Sequence, residues 1–147
     1  MLKAFKFMAV AVLLMVGCAS WTPVPIELNP AAVKDPAKEI EAVLNLGYLP
    51  PAKVEVTDQY IKHIVIGNVG VATWLLPFER VKDIRIITRS NIYQVSAYDA
   101  RGEEIWWFRP AAEDLATCQR FMNAFYAWTK RPLPTADSPA AASGKPR

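Results

Sequence analysis

The sequence has little of what metal and nucleophilic sites are built from. Its 147 residues include one histidine, His63, and two cysteines, Cys18 and Cys118. A protein-bound metal needs several convergent ligands, and neither a second histidine nor a cysteine pair at ligand spacing accompanies His63. We therefore expect no metal and no cofactor, and we expect His63 to be a surface or edge residue of a strand.

An excess of charge of one sign is also missing. The formal net charge is +3, and Lys3 and Lys6 supply two of the 17 basic residues. Beyond residue 17 this leaves 15 basic against 14 acidic residues. Binding to nucleic acid usually needs a basic face that neutralises phosphates. The sequence therefore predicts no nucleic-acid partner.

Apolar runs long enough to cross a membrane are absent too. The longest, residues 7–16, is too short for a spanning helix, which needs about 20 residues. It follows the basic Lys3 and Lys6 and precedes the small Gly17. A basic region, an apolar run and a small residue in this order are typical of a secretory signal peptide.

The end of this run, Met15-Val16-Gly17-Cys18, resembles the lipobox of bacterial lipoproteins. The resemblance implies that residues 1–17 are a signal peptide, that the Cys18 thiol is lipidated, and that the membrane is a partner through the lipid anchor. Ala19 after the cysteine implies an outer-membrane location facing the periplasm. A cysteine is suited to this role because its thiolate is a strong nucleophile. The alternatives are an ordinary signal peptide with an incidental cysteine, or a buried N-terminal helix.

Two segments rich in proline flank the expected domain. Residues 18–36 contain four prolines, and we expect a lipidated, semi-extended tether that lets the folded part stand off the bilayer. Residues 131–147 are rich in Pro, Ala and Ser and have no periodic apolar set, which is typical of a disordered tail. The folded domain is expected between them, over residues 37–130.

Local patterns predict an α+β fold. Asp35 and Pro36 favour a helix start, with Ile40, Val43 and Leu44 on one face of a helix over 36–46. Short strand-forming segments follow, separated by turn residues; they are residues 53–57, 60–66, 70–76, 82–88, 92–98 and 103–109. Apolar residues at helical spacing from Leu115 to Trp128 then predict an amphipathic helix of about 18 residues. We expect an antiparallel bent sheet or partly open barrel of about six strands, capped by this long C-terminal helix.

This order of elements resembles the pleckstrin-homology-like superfold. The stretches that carry the resemblance are LPFERVKDIRII at 76–87, YQVSAYDARGEEIWWF at 93–108 and AEDLATCQRFMNAFYAW at 112–128. The resemblance implies that the last hairpin leads directly into a helix that caps the open end of the sheet. Domains of that shape bind lipids, peptides or proteins, so the resemblance selects no ligand.

The sequence predicts no catalytic residues. Ser90, Ser96 and Cys118 could in principle act with His63, but no activating motif surrounds them. Cys118 lies on the apolar face of the predicted C-terminal helix and is expected to be a small buried side chain. With Cys18 lipidated, no disulfide is expected. These features indicate a protein that is not an enzyme.

Strand alternation indicates a candidate interaction face. If Trp106 and Phe108 point inward, then Ile105, Trp107 and Ile87 point outward beside Arg85. Aromatic and arginine side chains on a surface are what interfaces favour. The alternative is that the helix over 36–46 covers this face.

Two functions remain open at this stage. The first is a non-enzymatic bacterial envelope lipoprotein whose domain binds a protein or envelope partner. The alternative is a carrier of lipid or of a small apolar ligand, which would need a sizeable apolar cavity between the sheet and the C-terminal helix.

Overall fold

A computed structural model describes residues 20–135. This part of the chain contains seven strands and two α-helices. In chain order they are β1 (Thr22–Pro23), α1 (Pro36–Leu44), β2 (Lys53–Val56), β3 (Tyr60–Gly67), β4 (Gly70–Pro77), β5 (Asp83–Arg89), β6 (Ile92–Tyr98), β7 (Glu104–Phe108) and α2 (Leu115–Thr129). Short 3-10 turns occur at Pro30–Ala32 and Phe78–Arg80.

The strands form two antiparallel sheets, in the orders β2-β3-β4 and β1-β5-β6-β7. The α+β class and the C-terminal helix are therefore confirmed, but the single bent sheet or barrel of about six strands is wrong. The described residues form seven strands in two sheets that do not close. The 3-10 turn after Pro77 separates β4 from β5, and proline cannot donate to a ladder. The two sheets meet at β4 and β7 through the rings of Trp74 and Trp107, not through a ladder.

Aromatic rings on α2 fill the space beneath the four-stranded sheet. The ring of Phe121 lies 5.2 Å from that of Trp106, 5.8 Å from Phe108 and 6.3 Å from Phe125. All four side chains are buried. Rings at such centroid distances gain stacking energy in addition to what their burial contributes. The core is therefore continuous from β7 into α2.

Helix α1 packs against α2 and β2. Its start agrees with the prediction: the Asp35 carboxylate accepts a hydrogen bond from the Lys38 amide, and Pro36 opens the helix. A salt bridge also joins the two helices: the Arg120 guanidinium of α2 donates to the Glu39 carboxylate of α1 at 2.7 Å. The buried face of α1 is therefore directed at α2, away from the outer face of β5–β7.

The segment expected to be a tether is packed on the domain from Thr22 onward. Thr22 and Pro23 pair with the end of β5, and the Val24 amide donates to the Ile86 carbonyl at 2.9 Å. The Asn29 amide donates to the Asn123 side chain of α2 at 2.6 Å. The expectation of a stand-off tether is corrected because prolines exclude a helix but permit an extended edge strand. The apolar side chains of this segment, Val24, Ile26, Leu28 and Val33, rest on the core.

The first residue of the expected disordered tail is also held by the fold. The Arg131 guanidinium donates to the Val81 carbonyl at 2.6 Å and also to the Phe78 carbonyl. Residues 136–147 lie outside the described part of the chain. No helix between residues 20 and 135 is long and apolar enough to cross a membrane.

Candidate functional site

His63 lies between two tryptophan rings at the junction of the sheets. The register of β3 and β4 places it opposite Trp74, and the two rings are parallel with centroids 6.1 Å apart. Trp106 of β7 approaches edge-on at 6.1 Å. Only 7% of His63 is exposed. The expectation of a surface or edge histidine is wrong because alternation along β3 puts His63 on the same buried face as Ile61 and Val65.

The environment of His63 keeps its ring neutral. Burial lowers the pKa of His63 from 6.5 to about 4, because the imidazolium form loses its hydration. Its Nδ1 atom has no hydrogen-bond partner among the described residues. A base with so low a pKa is almost entirely unprotonated at neutral pH and accepts a proton weakly. The role of His63 is therefore to pack against Trp74 and Trp106 where the two sheets meet.

A small cavity of about 30 Å³ lies beside His63. It is bounded by the loop that follows α1, by Val65 of β3 and by the end of β7. This volume is about that of one or two water molecules. The cavity is therefore too small for an organic substrate, but it shows that the α1–β2 loop and the β3–β4 hairpin are neighbours.

The end of β7 holds a cation between two aromatic rings. The Arg109 guanidinium lies 5.5 Å from the Trp107 ring and 5.6 Å from the Trp21 ring. Its Nη2 atom also donates to the Gln94 side chain at 3.1 Å. Cation–π contacts of this kind contribute about 0.5–1 kcal/mol at exposed sites. Arg109 thus fastens Trp21, near the start of the described chain, to the end of β7.

The four residues of the predicted interaction face do not form one exposed stripe. Arg85 pairs with Asp83 at 3.1 Å and lies 4.5 Å over the Tyr98 ring. Ile87 is only 6% exposed, because β1 pairs along it. Ile105 and Trp107 are half-buried, and Trp107 meets Trp74 edge-on at 5.2 Å.

The cover over Ile87 comes from an element that the sequence did not predict. The alternative cover, the helix predicted over 36–46, is wrong, since α1 packs on α2 and β2. The two-residue strand β1 pairs beside Ile87 instead, with Pro23 as its partner in the register. Arg85, Ile105 and Trp107 are therefore the members of the predicted face that remain partly accessible.

Exposed apolar side chains that sequence reasoning missed lie on the β3–β4 hairpin and the α1–β2 loop. Val69 at the hairpin turn is fully exposed, and Ile66 and Tyr48 are each 66% exposed. A sequence signal for them existed: residues 42–52 and 63–77 contain no Asp, Glu, Lys or Arg. Tyr48 is bonded through its amide to the Arg109 carbonyl at 2.8 Å.

One candidate nucleophile, Cys118, is inert. Cys118 is fully buried, and burial, with a smaller contribution from the Asp114 carboxylate, raises the pKa of its thiol to about 12. A thiol with this pKa stays protonated at neutral pH and does not attack as a thiolate. Within residues 20–135 there is no group of three His, Cys, Asp or Glu side chains that could hold a metal ion. Cys18 lies outside the described residues.

No protein-family model, curated protein sequence or solved structure matches this chain. The resemblances to bacterial lipoproteins and to the pleckstrin-homology-like superfold therefore stay predictions from the residues that carry them.

Proposed function

We propose that the protein is a bacterial envelope lipoprotein, anchored through acyl chains on Cys18, whose domain binds an envelope protein without catalysing a reaction. The observation that carries the proposal is Met15-Val16-Gly17-Cys18 at the end of a basic and then apolar segment. Several acyl chains give stable membrane attachment, where one gives only marginal binding. The location that follows is the outer membrane, facing the periplasm.

The chemistry of the described domain supports binding over catalysis. His63 is neutral and lies between rings, and the Cys118 thiol is buried and protonated. Ser96 is fully buried and accepts a hydrogen bond from Gln94 at 2.8 Å, so its hydroxyl belongs to a structural pair. His63 and Cys118 are thus unsuited to act as base and nucleophile, and the Ser96 hydroxyl already accepts a hydrogen bond from Gln94.

The surface that we assign to the partner is the accessible part of the outer face, around Arg85, Tyr98 and Trp107. Both Arg85 and Trp107 are held by neighbours, Arg85 by Asp83 and Trp107 by Trp74. Side chains that are already ordered lose less entropy on binding. Arginine, tyrosine and tryptophan are also the residues enriched at interface hot spots.

The alternative, a carrier for lipid or a small apolar ligand, receives no support from the packing. It needs a cavity between the sheet and α2, where Trp106, Phe121 and Phe125 are in ring contact. An open groove of about 620 Å³ lies at the C-terminal end of α2, beside Phe78 and Trp128, and not between helix and sheet.

Mass spectrometry of the protein extracted from bacterial membranes tests the anchor. We expect a mature chain that starts at Cys18 and carries added acyl mass. A Cys18→Ser chain should keep residues 1–17 and carry no acyl mass, whereas a Cys118→Ala control should be processed normally. A wild-type protein that retains Met1 without acylation contradicts the proposal.

Site-specific photocrosslinking in the producing bacterium tests the binding surface. A photoreactive phenylalanine analogue at Tyr98 should give one defined protein adduct, and a Trp107→Ala change in the same chain should reduce its yield. The same analogue at the exposed Glu41 of α1 serves as the control position. Equal adducts from positions 98 and 41, or an adduct at position 98 that Trp107→Ala does not reduce, would contradict the assignment of this surface to the partner.

A further inference from the structure

One end of the molecule carries a rim of exposed apolar side chains, which we call the apolar rim. Three of its members come from the α1–β2 loop and three from the β3–β4 hairpin; they are Leu46, Tyr48, Leu49, Ile66, Val69 and Val71. Scattered apolar residues are normal on a protein surface, but a contiguous group marks an interaction site. The position of the apolar rim in the fold indicates which partner it contacts.

The loop and the hairpin end on the same side of the fold. Val65 borders the cavity that Tyr48 and Leu49 also line, so the hairpin passes directly beside the loop. From His63 the strand runs four residues further to Gly67, or about 13 Å at the usual rise per residue. The turn at Val69 therefore projects beyond the tryptophan rings that join the two sheets.

Charge is absent from both segments of the rim. Residues 42–52 and 63–77 contain no ionisable Asp, Glu, Lys or Arg side chain. Turns on a water-exposed surface favour Gly, Asn, Asp and Ser, yet Val69 occupies a hairpin turn in full exposure. Charged side chains are costly to transfer into hydrocarbon, and their absence removes that cost. Exposed Lys53 follows the loop segment directly, where a cation can meet anionic headgroups.

Trp21, near the start of the described residues, lies at this same end. The Trp21 ring rests on Arg109, and the Arg109 carbonyl accepts the Tyr48 amide at 2.8 Å. Cys18 precedes Trp21 by three residues, so a fully extended chain separates them by at most about 11 Å. A lipid anchor at Cys18 therefore keeps the rim close to the bilayer.

We propose that the apolar rim is seated in the surface of the bilayer that anchors Cys18, with the Val69 turn below the headgroups. This inference rests on the proposed function, because the anchor determines which surface the rim faces. Trp21 and Tyr48 are suited to the boundary, since tryptophan and tyrosine concentrate at membrane–water interfaces. The domain then lies on the membrane in one orientation.

A fluorescent label at Val69→Cys in the full chain tests the insertion. Cys18 is blocked by acylation and the Cys118 thiol is buried, so the introduced cysteine is the reactive one. In vesicles of phosphatidylethanolamine and phosphatidylglycerol, we expect a blue-shifted emission that lipids with a nitroxide on the acyl chain quench. The control is a Glu103→Cys label at the opposite end of β7, which we expect aqueous iodide to quench instead.

Other outcomes overturn the inference. A label at position 69 that iodide quenches as strongly as at position 103 leaves the rim in water. A blue shift without nitroxide quenching assigns the rim to a second copy of the chain. An Ile66→Asp change should return the Val69→Cys label to water, whereas Ile66→Leu should not; equal behaviour of the two also overturns it.

The same preparation separates failure of the anchor from failure of the rim. A parent chain with no added cysteine takes up label only if Cys18 is free, and this uptake contradicts the proposed function. Nitroxide quenching at position 69 in a Cys18→Ser chain mixed with vesicles would then still support the rim. When the parent chain is acylated, absence of nitroxide quenching at position 69 both with Cys18 and with Cys18→Ser contradicts the seating of the apolar rim in the bilayer. The proposed anchor is then unaffected.

Discussion

The His63 ring owes its charge state to its two tryptophan neighbours. Trp74 stacks on one face and Trp106 approaches with its edge, and this burial deprives an imidazolium of most of its hydration. A group whose pKa falls on folding binds its proton more readily in the unfolded chain. Folding stability therefore depends on pH at this residue.

We expect the free energy of unfolding to fall as the pH drops from 6.5 to 4. In this range His63 is protonated in the unfolded chain but stays neutral in the native state, where its pKa is about 4. The contribution is fully present above pH 6.5, and its loss is about 3 kcal/mol at most. A His63→Phe chain keeps the stacking and removes the titration. Urea unfolding across this window should show a shallower pH dependence for His63→Phe, and equal slopes would contradict the assignment.

Strand alternation predicted the faces of individual residues better than their exposure. The inward direction of Trp106 and Phe108 was expected, and both are buried. Ile87 was expected to be exposed but is buried. The strand that pairs beside it, β1, is distant in sequence, so local alternation does not predict this contact. His63 was misassigned for a related reason, since its neighbour Trp106 lies in the other sheet.

At the scale of elements, the six predicted strands correspond to β2–β7, and their ends differ by no more than one residue. Turn residues and alternation are local signals, so the sequence carries them directly. The division into two sheets depends on strand pairing, which local patterns do not contain. Strand β1 was missed because two residues that include a proline show no periodicity.

The packing of the N-terminal segment depends on a hydrogen bond to α2. We expect Asn123→Ala to remove the acceptor of the Asn29 amide and to cost about 1 kcal/mol, because an intramolecular hydrogen bond typically contributes that much. Hydrogen exchange should become faster at Asn29 and remain slow at Val24, whose amide is bonded to β5. Unchanged exchange at Asn29 would show that apolar contacts alone hold this segment.

At the scale of the whole molecule, Phe121 connects α2 to the four-stranded sheet through Trp106, which also meets His63 of the other sheet. A single aromatic path therefore crosses both sheets and the helix. Loss of one ring in such a path weakens contacts on all sides, so unfolding should be cooperative over the described domain.

We expect Phe121→Ala to lower the free energy of unfolding by about 3–5 kcal/mol, the usual cost of removing a buried phenylalanine ring. Leu133→Ala is the matched control, since Leu133 is exposed and should change stability by less than about 0.5 kcal/mol. Urea unfolding followed by tryptophan fluorescence measures both. A Phe121→Ala effect as small as that of the control would contradict a continuous core.

The pairing of β1 with β5 bears on the order of events that the proposed anchor would require. Thr22 meets Thr88, which is 66 positions later, so β1 can join the sheet only when the chain as far as β5 is available to fold. If Cys18 is modified as proposed, the modifying enzyme acts four residues from Thr22, where β1 begins. On the proposed anchor, acylation and cleavage would therefore precede the docking of β1, and a domain that folded early would hinder its own processing.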